Sequence, residues 1–472
     1  MADFEPLVRR RDVLDVVVDH QHQHQHQHQL YHHHHPRLDD DDHDQGFEED
    51  GPKKTANSSS KPILNSNPRV ASLDVLRGLS VLLMTVVDYG GSVFPIIGHS
   101  PWNGVHLADF VMPFFLFVAG VSLAIVYKKM SDKKEATWKV VMRALKLFLL
   151  GVLLQGGYLH GITSMTYGVD IERMRWLGIL QRIAVAYLVA ALCEIWLPCR
   201  NWRKEGFLRN YLLHWGIVLV LSVLYLGLLY GLYVPDWQFS PVNNNEVYKV
   251  TCSARGNLGP GCNSAGMIDR YVLGINHLYA KPVYRNLKEC SVAYNAQLNQ
   301  SVPSWCHAPF EPEGILSSLT AAVTCIIGLQ YGHILVQLQD HKERLYNWSL
   351  FSFSFMALGL LLSFLGMPLN KSLYTLSYLL VTVGSTGITF CLLYVLVDVY
   401  GWRGVTFVFE WVGKHALSIF ILVTSNIAVI TIQGFYWKSP DNNIPSFCSW
   451  KYKDTQSKVI RGCFAEDKDC ST

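Results

Sequence analysis

Apolar residues along this chain gather into long runs separated by short polar stretches. Nine runs of about 20 residues stand out, at 75–95, 105–127, 137–159, 176–198, 211–233, 315–338, 346–366, 373–397 and 405–432. A helix of that length spans a hydrocarbon core about 30 Å thick at 1.5 Å per residue. The pattern predicts an all-α, polytopic membrane helical bundle of about nine transmembrane helices. The ninth run is interrupted by the polar "EWVGKH", which predicts a kink, or two half-helices broken near Gly413.

Polar stretches set the domain limits. Residues 1–68 hold "HQHQHQHQ", "HHHH" and "DDDDHDQGFEED" and almost no apolar period, a composition expected to stay a disordered cytosolic low-complexity tail. No cleavable leader pattern is present there, so the first span is expected to act as the targeting signal. The transmembrane domain is expected over 69–433, with one long polar loop at 234–314. Residues 434–472 contain no spanning run and are expected to form an unstructured C-terminal tail.

Charge bias sets the orientation. With the N-terminus in the cytosol, the short cytosolic loops hold twelve Lys/Arg and the opposite short loops three. The turn at 96–104 and the loop at 234–314 then both lie on the lumenal side. That loop carries Cys252, Cys262, Cys290 and Cys306, an even set with three pairings open, and the sequon Asn299-Gln300-Ser301. Cys193, Cys325 and Cys391 fall in spans and read as small packing residues. A net charge of +3 and the lack of a basic stripe with interleaved aromatics argue against a nucleic-acid partner. The bilayer is the partner that composition requires.

Candidate chemistry concentrates in "GHSPWNGVHLADFVMPFFLFVAG", where a polar turn runs into an apolar helix. The imidazole of His99 suits proton transfer or transient acyl acceptance. Asp88, near the lumenal end of the first span, and Asp109, at the start of the second, are both candidates to hold its other ring nitrogen. Trp102 suits an interface, and Asn103-Gly104 reads as a tight turn. A metal at His99, His106 and Asp109 matches no standard spacing, and none is expected. Ionisable groups inside spans are costly and therefore candidates for function. Arg77 is equally well explained by an i,i+3 pair with Asp74 or by an anionic ligand at the cytosolic side. Arg143 and Lys146 lie close enough to the cytosolic end to snorkel. Arg182 is deeper and calls for a carboxylate or phosphate. Asn370 and Lys371 sit in a lumenal turn, where Lys371 is either an interfacial anchor or part of an acceptor mouth.

Six stretches in order, "RVASLDVLRGLSVLLMTVVDYGG", "HSPWNGVHLADFVMPFFLFVAG", "LGILQRIAVAY", "MIDRYVLGINHLYAKP", "EPEGILSSL" and "PLNKSLYTLSY", resemble the heparan-α-glucosaminide N-acetyltransferase family, its plant-type branch above all. The resemblance runs from about Arg69 to Gln433. It implies an acetyltransferase that takes acetyl-CoA on the cytosolic side and acetylates an amino-sugar amine across a lysosomal, vacuolar or other endomembrane. It also implies that His99 is the active histidine, as covalent acetyl acceptor or as general base in a ternary complex. On this reading Asp88 or Asp109 orients His99, Arg77 and Arg182 bind the CoA phosphates, and Asn103, Asn370 and Lys371 line the site of a lumenal small-molecule or glycan acceptor. Relatives differ at two positions: Asn replaces Asp88 in animal members, and Asn is common at His415. The family's final span has no counterpart after Gln433. Homo-oligomers are compatible with the pattern. The competing readings are a transporter, for which no internal repeat is found, and a catalytically inactive relative.

Overall fold

A computed structural model describes residues 70–90, 97–127, 132–155, 159–160, 166–167, 171–172, 174–197, 207–240, 247–291 and 301–425. The expected tails at 1–68 and 434–472, and Asn299 of the sequon, lie outside the described residues.

Helices occupy every position where the apolar pattern placed a span. They are α1 (Ala71–Gly90), α2 (Val111–Tyr127, entered through a 3-10 turn, Leu107–Phe110), α3 (Lys133–Gln155), α4 (Ile179–Trp196) and α5 (Phe207–Gly231). After the long loop come α7 (Ile315–Gln337), α8 (His341–Phe364), α9 (Leu376–Tyr394), α10 (Arg403–Lys414) and α11 (Ala416–Thr424). Six of these are long and apolar enough to cross a membrane, or up to seven if the bent pair α10–α11 counts as one span. The nine expected spans therefore resolve into six firm ones among the described residues. The difference is charge: α1 holds Asp74, Arg77 and Asp88, and α3 holds Lys139, Arg143 and Lys146 within its apolar stretch. The expected break near Gly413 is present: it falls at His415, with a bend of 66°. Gly413 has another task. A Cβ there would lie 1.8 Å from the Asp74 carbonyl oxygen, so its missing side chain lets α10 touch α1 backbone to backbone.

The centre of the bundle is α7, buried along nearly its whole length from Leu316 to Leu335. Its Ser317, Ser318, Thr320 and Thr324 hydroxyls donate to carbonyls of the preceding turn, which satisfies them without water. Gly120 of α2 and Gly328 of α7 sit against the partner helix's backbone: added Cβ atoms would lie 2.0 Å from the Cys325 oxygen and 2.3 Å from the Phe117 oxygen. In contrast, α5 and α8 turn Leu219, Val220, Val223, Phe353, Leu360 and Leu361 outward, as helices facing lipid do. The N-terminus of α1 is closed by Asp398, whose carboxylate accepts from the Ala71 and Ser72 amides at 3.2 Å each.

The all-α expectation needs a small amendment, because six short strands form three two-stranded antiparallel ribbons. The first joins β1 (Leu159–His160) to β2 (Thr166–Tyr167). The other two lie in the long loop: β3 (Tyr233–Val234) pairs with β6 (Ala254–Arg255), and β4 (Trp237–Phe239) with β5 (Tyr248–Val250). These strands of two or three residues are too short to leave a period-2 signal. A helix α6 (Ser264–Leu273) follows them. Two disulfides, Cys252–Cys262 and Cys290–Cys306, settle the open pairing. Closing the 16-residue separation of Cys290 and Cys306 should stabilise the fold by about 3 kcal/mol. We expect a Cys290→Ser/Cys306→Ser variant to melt at a lower temperature in detergent, and dithiothreitol to lower its melting point less than the parent's.

One end of the bundle gathers the loops. Trp102 Nε1 donates to the Leu258 carbonyl (2.9 Å), His277 Nδ1 meets the Met174 carbonyl (2.7 Å), and Tyr225 donates to the Leu373 carbonyl (2.9 Å). The turn 97–106 and the segment 174–178 are thereby tied to the disulfide loop, and the turn 366–375 to α5.

Candidate active site

The site begins with the entry into α2. His106 precedes the first helical turn, and the Asp109 carboxylate reaches back to accept its amide, Oδ2 to N, at 2.9 Å. The same oxygen accepts the Ser100 amide at 3.2 Å. Both bonds curl the polar turn over the helix end. Gly104, at φ +99°, takes the left-handed conformation the turn requires. Trp102 is buried rather than interfacial, edge-on to Tyr284 and Phe310 with ring centroids at 5.8 and 5.5 Å.

The remaining carboxylate oxygen, Asp109 Oδ1, lies 2.9 Å from His99 Nδ1. Asp109 is fully buried, whereas the His99 side chain keeps a third of its surface exposed. In the tautomer whose Nδ1–H donates to this buried acceptor, the Nε2 lone pair is available.

A turn from the other end of the sequence completes the group. Asn103 and Asn370 form an isolated antiparallel bridge, and Asn370 Nδ2 donates to Asn103 Oδ1 at 3.2 Å. The Gly104 amide donates to the Leu369 carbonyl (2.8 Å), and Asn370 Oδ1 accepts the Leu373 amide (2.8 Å). Lys371 is thus delivered to the histidine: Nζ is 2.9 Å from His99 Nδ1, 3.4 Å from Nε2 and 3.5 Å from Asp109 Oδ1. Burial lowers the pKa of the Lys371 ammonium, offset in part by Asp109 and Glu313. The Tyr378 hydroxyl donates to the Asp109 carbonyl from α9.

Beside this group lies a buried ionic cluster that the sequence motifs contain but do not explain. Arg175 Nε donates to Glu311 Oε2 (2.7 Å), and its Nη2 reaches both Glu311 and Glu313 Oε2, the latter at 2.6 Å. Its guanidinium also lies over the Tyr279 ring at 4.6 Å. Arg182 donates to the Pro312 carbonyl and to Ser317 Oγ (2.7 Å), with its guanidinium 5.4 Å from the Tyr374 ring centre. Burial pushes the Glu313 carboxyl up, but Arg175, Arg182 and Lys371 together outweigh it and hold the group below its ordinary range. The sequence signal was available in "EPEG": two carboxylates flanking a proline directly before an apolar helix, with arginines upstream to meet them.

Asp269 of α6 lies under the same cluster, its Oδ1 accepting the Ile315 amide at 2.9 Å. Burial pushes its carboxyl up to about 7, only partly opposed by that amide, Arg182 and Arg270. The unfolded chain loses this proton near pH 4, so between about pH 4 and 7 the folded state binds more protons and Asp269's contribution to stability falls as pH rises. Relative to the parent, Asp269→Asn is expected to gain about 1–3 kcal/mol between pH 5 and 8. Thermal unfolding of both proteins across that range checks the slope; parallel curves would refute it.

The structure thus gathers His99, Asp109, Asn103, Asn370 and Lys371. Asp88 stands apart: it lies exposed near the end of α1, within electrostatic reach of His99 and Lys371 but without a hydrogen bond to either. Arg182 is at the His99 end, engaged by protein groups. Arg77 lies toward the opposite end of α1, bonded to Asp74 Oδ1 (2.8 Å) and Ser122 Oγ (3.2 Å). Among the described residues, no cluster of three or more His, Cys, Asp or Glu is arranged to hold a metal ion.

Fold and site together define a multi-helix membrane protein with a buried aspartate–histidine pair and a lysine at one end of the bundle. Residues 69–223 match the family model for the heparan-α-glucosaminide N-acetyltransferase catalytic region. The chain is 29% identical over 402 residues to the human heparan-α-glucosaminide N-acetyltransferase, covering 79% of this chain and 55% of that protein. With the mouse enzyme of the same name it shares 29% over 404 residues, 80% of this chain and 56% of the relative. Over these regions the chain is similar to the heparan-α-glucosaminide N-acetyltransferase family. It spans little more than half the length of these curated relatives. His99, Asp109, Arg77 and Arg182 fall inside the matched segment; Lys371, Asn370 and the two glutamates fall beyond it.

Proposed function

We propose that this protein is a membrane acyltransferase that moves an acetyl group from cytosolic acetyl-CoA to an amine on the lumenal side, with a terminal amino sugar as acceptor. The observation that carries this reading is the His99–Asp109 pair, an imidazole one third exposed and backed by a buried carboxylate. With Nδ1–H donated to Asp109, Nε2 is free to take a proton from the attacking amine or to receive the acetyl group itself. In either case positive charge develops on the ring, and Asp109 stabilises it. Lys371, 3.4 Å from Nε2, supplies a donor close to where the carbonyl oxygen gains negative charge.

The arginines divide between the two sides. Arg77, toward the cytosolic end, is assigned to the phosphates of CoA. Arg182, whose partners all lie beside the His99 group, is assigned with Asn103 and Asn370 to shaping the acceptor mouth. In this orientation the disulfide loop is lumenal, in a lysosomal or vacuolar compartment where its cystines persist.

The test is reconstitution in proteoliposomes with radiolabelled acetyl-CoA outside and a panel of amino sugars inside. Label on a trapped amino sugar supports the reading. Solute uptake without acetyl transfer overturns it in favour of a carrier, and neither signal identifies an inactive relative.

A further inference from the structure

The lysine at the site is a primary amine, the same nucleophile that an amino-sugar acceptor offers. Its nitrogen lies 3.4 Å from His99 Nε2, the atom at which acetyl chemistry is proposed to occur. An acetyl carbon carried on or beside Nε2 is therefore within reach of this amine. The turn that carries Lys371 is also fixed. Asn370 is bridged to Asn103, and Tyr374 is held at φ +52° with its hydroxyl 3.1 Å from Thr324 Oγ1. The amine is therefore presented to the histidine by a rigid frame rather than sampled from solution.

We propose that Lys371 is itself an acetylation site: when no acceptor occupies the site, its amine takes the acetyl group and becomes N-acetyl-lysine. The proposal rests on the acetyl-transfer reading above. The Lys371 nitrogen attacks the acetyl carbonyl, a C–N amide bond forms, and the C–S bond of the thioester breaks. The amine proton passes through His99 to the departing thiolate, giving free CoA thiol. Through a covalent acetyl-histidine the balance is the same: the thiol leaves first, and the acetyl–imidazole bond breaks in the second step. No oxidant or further co-reactant is needed.

Three features favour this lysine over the others. Burial promotes its neutral, nucleophilic form. The groups facing it, Asp109, Glu313, Arg182 and His99, do not seal it, because a fifth of its side chain remains exposed. Lysines such as Lys139 and Lys249 are exposed and lie on other elements, α3 and β5. The product amide carries no charge and cannot donate as an ammonium to the transition state, so acetylation would silence the enzyme. Acceptor and Lys371 would compete for one acetyl group, and turnover without acceptor would be self-limiting.

The purified full chain in detergent, incubated with carbon-13-labelled acetyl-CoA with or without saturating amino sugars, tests this by peptide mass spectrometry. Near-complete labelling of Lys371 without acceptor is expected, falling about tenfold or more when acceptor is present, and by a similar factor in His99→Ala. The acceptor comparison uses the parent alone and does not depend on a variant folding. An unlabelled Lys371 in a protein that acetylates an amino sugar overturns this proposal and leaves the transferase reading standing. Absence of label from both overturns the two together. Label on Lys371 matching that on Lys139 and Lys249, and unchanged in His99→Ala, marks non-enzymatic acetylation and overturns it as well.

Discussion

Replacement of His99 by alanine is expected to lower acetyl transfer about 10³-fold, with the loss in kcat and little change in the apparent affinity for acetyl-CoA. A positioned general base contributes roughly 10²–10⁴-fold, and loss of a covalent acceptor costs at least as much. The side chain keeps a third of its surface exposed and its packing role is small, so the fold should survive. The measurements are initial rates over a range of acetyl-CoA concentrations, with thermal unfolding as the control. Added imidazole should restore part of the rate if the histidine supplies a base. A variant that retains more than about a tenth of the parent's kcat would remove His99 from the chemistry.

Helix positions were legible because membrane-length apolar runs impose a signal of about 20 residues, which tertiary context rarely erases. What that signal cannot say is how a charged helix sits: α1 carries Asp74, Arg77 and Asp88 along its length. Local chemistry was legible too. His99 and Asp109 are ten residues apart, within one turn and the helix it enters, so their pairing is almost a local property. Long-range closure was not. Lys371 reads from its neighbours as either an interfacial anchor or part of an acceptor mouth, and only the Asn103–Asn370 bridge, spanning 267 residues, turns it toward the histidine. The same holds for Arg175 and its two glutamates, which sit 136 and 138 residues away in a motif visible but mute. The helix break near Gly413 was legible too, but not the glycine's own part in the packing. A glycine reads as a hinge, yet here it serves the close approach of α10 to α1.

Two carboxylates were candidates to orient His99, and their asparagine variants separate them. Asp109 accepts three hydrogen bonds, from the Ser100 and His106 amides on Oδ2 and from His99 on Oδ1. An asparagine that keeps its oxygen on the two amides must turn its NH₂ toward His99 Nδ1. That donor demands a lone pair on Nδ1 and moves the ring proton to Nε2, where the reaction needs the lone pair. The opposite amide orientation keeps the histidine bond but sets NH₂ against two backbone N–H groups, at a cost of about 1–3 kcal/mol for each one left unsatisfied. The first orientation is therefore preferred, and the turn stays folded around a histidine in the wrong tautomer. Asp109→Asn is expected to lose about 10²–10⁴-fold in kcat while its melting temperature moves little. Asp88→Asn, which breaks no hydrogen bond to His99, is expected to stay within about tenfold of the parent, because only a screened field is lost. Side-by-side kinetics of the two variants decide the assignment. The reverse ranking, with Asp88→Asn the more damaged, would make Asp88 the orienting carboxylate and leave Asp109 as a helix-entry residue.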